Sequence, residues 1–271
     1  MKKVMVIGII CILIGAIFVG LAYGFGGRYV NSKLTDASKT FSSAEINKLN
    51  IEEIIANVKI FKSGDAGNIE IKAEKVIENE LKCEVVNGVL KISYNPSRLK
   101  FGPITIPSFI YDWNNTSVIN IYIPEGKVFD EICYTGGLGN IEAEEINAQA
   151  IIISGGAGDY NIKNMTVGSL EINGEMGNIS LNGTINGDTK ISGGAGDLKI
   201  SGQVNGNIKL NALMGNANLD LNGNAGDYNI KVDAGLGNIR LNGNKTGTVN
   251  NGGKYTIDIN ASVGDININI K

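Results

Sequence analysis

Ser154-Gly155-Gly156-Ala157-Gly158-Asp159-Tyr160-Asn161-Ile162 returns further along the chain as Ser192-Gly193-Gly194-Ala195-Gly196-Asp197-Leu198-Lys199-Ile200. A looser copy, Asn173-Gly174-Glu175-Met176-Gly177-Asn178-Ile179-Ser180-Leu181, lies midway between them. Extended in both directions, the phrase recurs at Gly139, Gly158, Gly177, Gly196, Gly215, Gly237 and Gly264, with four intervals of 19 residues and then intervals of 22 and 27. A short fixed period means that each unit buries its apolar face only by stacking on the next. The C-terminal half is therefore expected to be a column of coils without a conventional closed core.

Two places after each glycine stand Ile141, Tyr160, Ile179, Leu198, Ala217, Ile239 and Ile266, and four places after stand Ala143, Ile162, Leu181, Ile200, Leu219, Leu241 and Ile268. The residues between them are polar, so the segment alternates with the period of two that marks a strand with one buried face. A second inward-facing set follows in the regular coils: Ile151 and Ile153, Leu170 and Ile172, Thr189 and Ile191, Ile208 and Leu210. Two short strands and two turns thus fill each repeat. The tight reversals call for glycine, which adopts positive φ at low cost. The Asn or Asp after each glycine predicts a side-chain ladder of Asn140, Asp159, Asn178, Asp197, Asn216, Asn238 and Asp265. Through Asn216, acid and amide alternate, which keeps like charges from sitting directly above one another. The role predicted for these residues is structural.

The stretch from Val4 to Tyr23 carries no charge and stands behind Lys2 and Lys3. A helix needs about 20 apolar residues to span a bilayer, and this stretch is long enough. It reads as an uncleaved signal anchor with the body exported, and a cleaved signal peptide is the alternative because small residues at Gly20-Leu21-Ala22 suit processing. The chain then divides into an anchor at 1–23, a flexible linker at 24–43 rich in Gly, Ser, Thr and Lys, and a β-solenoid repeat domain at 44–271. Ahead of the repeats, strands are expected around Val58–Phe61, Asn68–Ala73, Leu81–Val86, Val89–Tyr94 and Val118–Ile123, with Asn87-Gly88 placed for a hairpin turn. The fold class is all-β: a parallel β-solenoid of about 19-residue coils after one transmembrane helix.

The segment Lys100 to Trp113 breaks the repeat and contains the chain's only tryptophan. Phe101, Phe109, Tyr111 and Trp113 are either a cover over the column or an exposed contact for a membrane surface or a partner protein. Both readings stay open on sequence alone.

The search for chemistry is mostly subtractive. The 271 residues contain no histidine, which removes Ser-His-Asp and Cys-His catalysis and the commonest metal ligand. With 24 Lys and Arg against 27 acids and a net charge of -3, there is no basic stripe for nucleic acid. The glycine turns lack the Lys-Ser/Thr ending of a phosphate loop. Asp159 and Asp197, two coils and about 9 to 10 Å apart by strand spacing, are too distant to share a calcium ion. Glu142, Glu144 and Glu145 would form a glycosidase pair only if partners converged on them. No catalytic, cofactor-binding or metal-binding residue is assigned, and no cofactor is expected. Cys11 lies in the apolar run, and Cys83 and Cys133 are left either as two free thiols or as a bridge.

Asn87 to Ile92 (Asn-Gly-Val-Leu-Lys-Ile), then Ile119-Asn120-Ile121-Tyr122-Ile123-Pro124, then Gly-Asn and Gly-Asp repeats at 19-residue spacing resemble the bacterial family named "putative adhesin". That family is a β-strand repeat domain of unknown function, often membrane-anchored, and includes the envelope-stress membrane protein of the Lia operon in Gram-positive bacteria. The resemblance covers residues 44–271. It implies an outward-facing β-solenoid linked to adhesion or envelope stress. The expected function is non-catalytic binding of an envelope protein or cell-wall polymer by a single-pass membrane protein, with the membrane itself contacted through residues 4–23. The alternatives are a regulatory component of an envelope-stress system and a β-helix carbohydrate-active enzyme.

Overall fold

The computed structural model describes residues 28–29, 34–65, 67–101, 104–107, 116–245 and 251–271. The expected anchor at 4–23 lies outside them, and no helix among the described residues is long and apolar enough to cross a membrane. The described chain is all-β, with one large, largely parallel mixed sheet and a separate three-stranded antiparallel sheet.

The large sheet is two stacks of strands, joined through the 17-residue strand Tyr160–Met176, which runs through both. In the first flank, Val128–Leu138, Asn147–Ala157, the second half of Tyr160–Met176, Thr189–Ala195 and Ile208–Met214 pair in parallel and in order. In the second flank the same holds for Ile141–Glu144, the first half of Tyr160–Met176, Ile179–Ile185, Leu198–Val204 and Ala217–Leu221. Partners are one full repeat apart: Ile162 pairs with Leu181, and Leu181 with Ile200. All three are buried, as are Ile151, Ile153, Leu170, Ile172, Thr189, Ile191, Ile208 and Leu210 of the opposite flank. The alternation read from the sequence therefore gives the correct facing, and the two inner faces supply one continuous core.

The reversals between coils show why glycine is required. Gly196 has φ 146°, and a Cβ there would stand 2.2 Å from the carbonyl oxygen of Gly177 in the coil below. The backbones pass too closely for any side chain.

At both ends the stack departs from sequence order. The expected succession of the last coils was Asn216, Asn238, Asp265, but Tyr255–Val263 and Ile266–Ile270 insert between the coil of Ile208–Leu221 and the coil of Tyr228–Leu241. The last stretch of chain lies inside the stack, with Ile257, Ile259, Ile266 and Ile268 fully buried. The other end does the same. Lys48–Ile55 and Asn57–Ser63 form a coil that pairs on one side with Val128–Leu138 and Ile141–Glu144, and on the other with Val89–Tyr94 and Val118–Pro124. Antiparallel strands then close the stack: Leu81–Val86 beside Val89–Tyr94, and Asn68–Val76 beside Val118–Pro124.

One correction concerns the linker. Thr35–Ser42, read as stalk because of its polar composition, is a strand antiparallel to Asn68–Val76 at the edge of the second flank. Only Ala37 and Phe41 of this strand pack on the core. An edge strand with one covered face tolerates many polar residues, so composition concealed it.

Candidate functional site

The seven ladder residues come together along one edge of the stack, each on the far side of its turn glycine. The backbone N–H of Asp159 donates to Asn140 Oδ1 (2.9 Å), that of Asn178 to Asp159 Oδ1 (2.8 Å), that of Asp197 to Asn178 Oδ1 (3.0 Å) and that of Asn216 to Asp197 Oδ1 (2.8 Å). The inserted coil continues the series: Asp265 N–H donates to Asn216 Oδ1 (3.0 Å) and Asn238 N–H to Asp265 Oδ1 (2.9 Å). In space the order is Asn140, Asp159, Asn178, Asp197, Asn216, Asp265, Asn238. Acid and amide alternate through all seven, where sequence order would have placed two amides together. Asn178, Asn216 and Asn238 each also donate Nδ2–H to the Oδ1 of the aspartate below, at 3.1 to 3.2 Å. The backbone N–H of Asn238, with its side chain and nearby Arg240, holds the Asp265 carboxyl below its ordinary range.

A second, shorter ladder escaped the sequence reading. Asn207 N–H donates to Asp188 Oδ1 (2.9 Å), and Thr256 N–H donates to Asn207 Oδ1 (3.0 Å), again through the inserted coil. The recurrence of Asn186-Gly187-Asp188 as Asn205-Gly206-Asn207 was its available signal.

Immediately before the turn glycines runs a ridge of apolar side chains in strand register: Leu138, Ala157, Met176, Ala195, Met214, Val263 and Leu236. Met176 is 62% exposed, Met214 56%, Val263 49% and Leu236 70%. Each of these residues directly precedes a turn glycine, outside the alternation that marks buried positions. Their polar neighbours on the edge are the ladder amides and carboxylates.

The outer face of the second flank is polar. Between the buried positions stand Asn161, Ser180, Lys199, Asn218 and Asn267, with Asn267 Nδ2 donating to Asn218 Oδ1 (3.0 Å). Two places further on, Asn182 donates to Ser201 Oγ (3.1 Å) and Asn269 to Asp220 Oδ1 (2.8 Å). Rows of amides and hydroxyls are thereby fixed about 4.8 Å apart.

The acidic cluster is dispersed by lysines. Glu142 pairs with Lys59 (3.0 Å) on the outer face, and Glu145 turns with Glu125 onto Lys62 at 3.2 and 2.6 Å. Those bonds, to Glu125 first and then Glu145, raise the Lys62 ammonium pKa. Lys62, Glu125, Glu144 and Glu145 line a shallow groove of about 350 Å³, floored partly by Phe61 and Pro124. Lys62, Glu125 and Glu145 are engaged with one another, and Lys127 donates to the Ser43 carbonyl. Among the described residues, no three cysteine or acidic side chains converge in a metal-binding group.

Phe101 closes the strand Ser97–Phe101, which pairs antiparallel with Ile104–Pro107 and with Arg28–Tyr29 in the separate small sheet. Phe109, Tyr111 and Trp113 lie outside the described residues. Cys83 and Cys133 are free thiols, both half-buried on strands of the first flank. Burial pushes Cys83 up to about 11.

No curated protein matches this chain. Among solved structures it is similar to a "putative cell adhesion protein" from Clostridium sporogenes, at 20% identity and a TM-score of 0.41, over 88% of this chain and 100% of that one. It is also similar to a "putative adhesin" from Bacteroides fragilis, at 16% identity and a TM-score of 0.45, over 86% and 97%. The profile of the toastrack DUF4097 family matches residues 46–243, most of the two stacks described above. The chain belongs to the toastrack DUF4097 family.

Proposed function

We propose that this chain is a membrane-anchored, extracytoplasmic β-solenoid that works by non-catalytic contact, with its polar second flank laid against a cell-wall polymer. The carrying observation is the outer face around Asn161, Ser180, Lys199, Asn218 and Asn267, where amides, a hydroxyl and one ammonium follow one another at strand spacing. An extended polymer with hydroxyl, amide and carboxylate groups meets such a surface at many equivalent points, and many weak contacts add up without a pocket. The uncharged run Val4 to Tyr23, behind Lys2 and Lys3, supports both the anchor and the envelope setting. Lysine pairing of Glu142 and Glu145 weighs against the carbohydrate-active alternative.

The test is sedimentation of the intact chain with isolated cell-wall sacculi. Retention is expected, and it should fall at least several-fold when Asn161, Asn218 and Asn267 are all changed to alanine, with no sugar released. Equal retention of the triple variant at an unchanged melting temperature would move the contact elsewhere. Release of reducing sugar, abolished by Glu142→Gln or Glu144→Gln, would make the protein an enzyme.

A further inference from the structure

From the apolar ridge and its bordering ladder, we infer a second copy of this chain as the ridge's occupant, packed ridge to ridge with the two stacks antiparallel. Large and small side chains alternate through Leu138, Ala157, Met176, Ala195 and Met214, so a matching ridge offset by one coil sets each large side chain against a small one. The ladder makes an independent demand. Each rung holds one ridge residue and, two places on, one ladder residue, and the carboxylates fall on the rungs of Ala157, Ala195 and Val263.

In an antiparallel pair the two ladders lie on the same side of the contact and face each other. A two-fold axis passing through the Ala195 rung would oppose Asp197 to its own copy and Asp159 to Asp265, a row of like charges. An axis midway between the rungs of Ala195 and Met214 opposes Asp197 to Asn216, Asn178 to Asp265 and Asp159 to Asn238, so that every carboxylate meets a carboxamide. The same axis sets Met214 on Ala195, Leu236 on Ala157 and Met176 on Val263. It covers all four of the most exposed ridge residues, which lie 49 to 70% open in the single chain. Charge restricts the axis to a position midway between rungs, and covering Met176, Met214, Val263 and Leu236 together selects this one. A strip one side chain wide and about 25 to 30 Å long is smaller than the roughly 1,200–2,000 Å² of a stable interface. The dimer is accordingly weak and concentration-dependent, and membrane confinement would favour it.

Disulfide trapping reads such a contact directly. In the full-length chain with its own three cysteines replaced by alanine, Ala157→Cys and Leu236→Cys proteins are oxidised singly and mixed. The mixture should give the 157–236 cross-linked dimer at least tenfold faster than either protein alone. In the inferred register, two copies of residue 157 stand five rungs apart, about 24 Å, beyond disulfide reach. Met176→Ser with Met214→Ser should abolish trapping without altering the circular dichroism spectrum. Trapping of Ala157→Cys with itself would indicate parallel ridges, and trapping with Val263→Cys in place of Leu236→Cys would put the axis on Ala195. Either result overturns the inference, as does a mixture that links no faster than its components.

Discussion

The middle of the stack and its two ends are built from the same coil by different rules. From Gly139 to Leu221 every coil rests on its immediate predecessor in the sequence, as with Tyr160 on Ile141 and Leu198 on Ile179. At the ends the hydrogen-bonded neighbour is remote in sequence: Asn140 N–H reaches Asn57 Oδ1 across 83 residues, and Asp265 N–H reaches Asn216 Oδ1 across 49. A repeat that only adds to its predecessor leaves a bare edge at each terminus. Here the first and last coils in sequence, residues 48–63 and 255–270, each lie between two neighbours, and antiparallel strands close the stack beyond the first of them. Local stacking sets the middle, closure by antiparallel strands sets one end, and at the other the open edge passes from the last coil in sequence to Tyr228–Leu236.

The harshest way to break this comparison is deletion. Removing Asp159 to Gly196 takes out two whole coils of the middle and should leave a cooperative fold, because each remaining strand still faces inward and acid and amide still alternate. Removing a half-coil from the same region should abolish the thermal transition in circular dichroism. Removing Tyr255 to Lys271 tests an end. In a stack following sequence order only one coil would be lost, whereas here Tyr228–Leu236 pairs only with Tyr255–Val263 among the described strands. Hydrogen exchange should show Tyr228 to Leu241 losing protection as well, while Leu181 and its neighbours keep theirs.

A single charge probes the middle less severely. Leu181 is 0% exposed between Ile162 and Ile200, so Leu181→Asp should cost several kcal/mol, against about 0.5 kcal/mol or less for Ser180→Asp on the outer face. Equal shifts in urea midpoint would refute the assigned facing. Thr189 sharpens the same point in the opposite direction. It is buried between Leu170 and Ile208 with its hydroxyl lacking a hydrogen-bond partner, so Thr189→Val should raise stability by about 1 kcal/mol in urea denaturation.

The smallest effect concerns the inserted end. The Asp265 carboxyl is held below its ordinary value of 3.8, chiefly by the Asn238 backbone N–H. Its folded pKa lies below its unfolded one, so its contribution is fully present above about pH 4 to 5 and is lost as pH falls through the depressed value. Exchange at Asn238 should accelerate below that window in the native chain, and the acceleration should shrink in Asp265→Asn. A pH response identical in the two proteins would remove Asp265 from the account.

The middle was legible because each of its determinants is local. A glycine at Gly158 or Gly196, an Asx beside it and Ile162 or Ile200 four places on repeat at one interval, and neighbours in space are neighbours in the list. The ends were not legible from spacing, since the two lengthened intervals after Gly215 say that something is inserted without saying where. Their order was nevertheless encoded in charge. Asn216, Asn238, Asp265 breaks the alternation in sequence, and exchanging the last two restores it. Thr35–Ser42 failed for another reason: Ala37 and Phe41 are its only apolar packing residues, and pairing with Asn68–Val76 supplies what composition does not. The ridge was invisible because alternation identifies what is buried, whereas Met176 and Leu236 matter by being uncovered.

Enclosing the terminal coils also changes how the protein bears load. A coil at the end of an ordinary stack can be peeled, its hydrogen bonds breaking one after another under a small force. Lys48–Ile55 lies between Val89–Tyr94 and Val128–Leu138, and Tyr255–Val263 lies between Ile208–Met214 and Tyr228–Leu236. Tension along either strand runs perpendicular to the hydrogen bonds on both of its sides, so both rows must shear together before it slips. A chain tethered at one end and pulled at the other would resist as a pair of clamped seams.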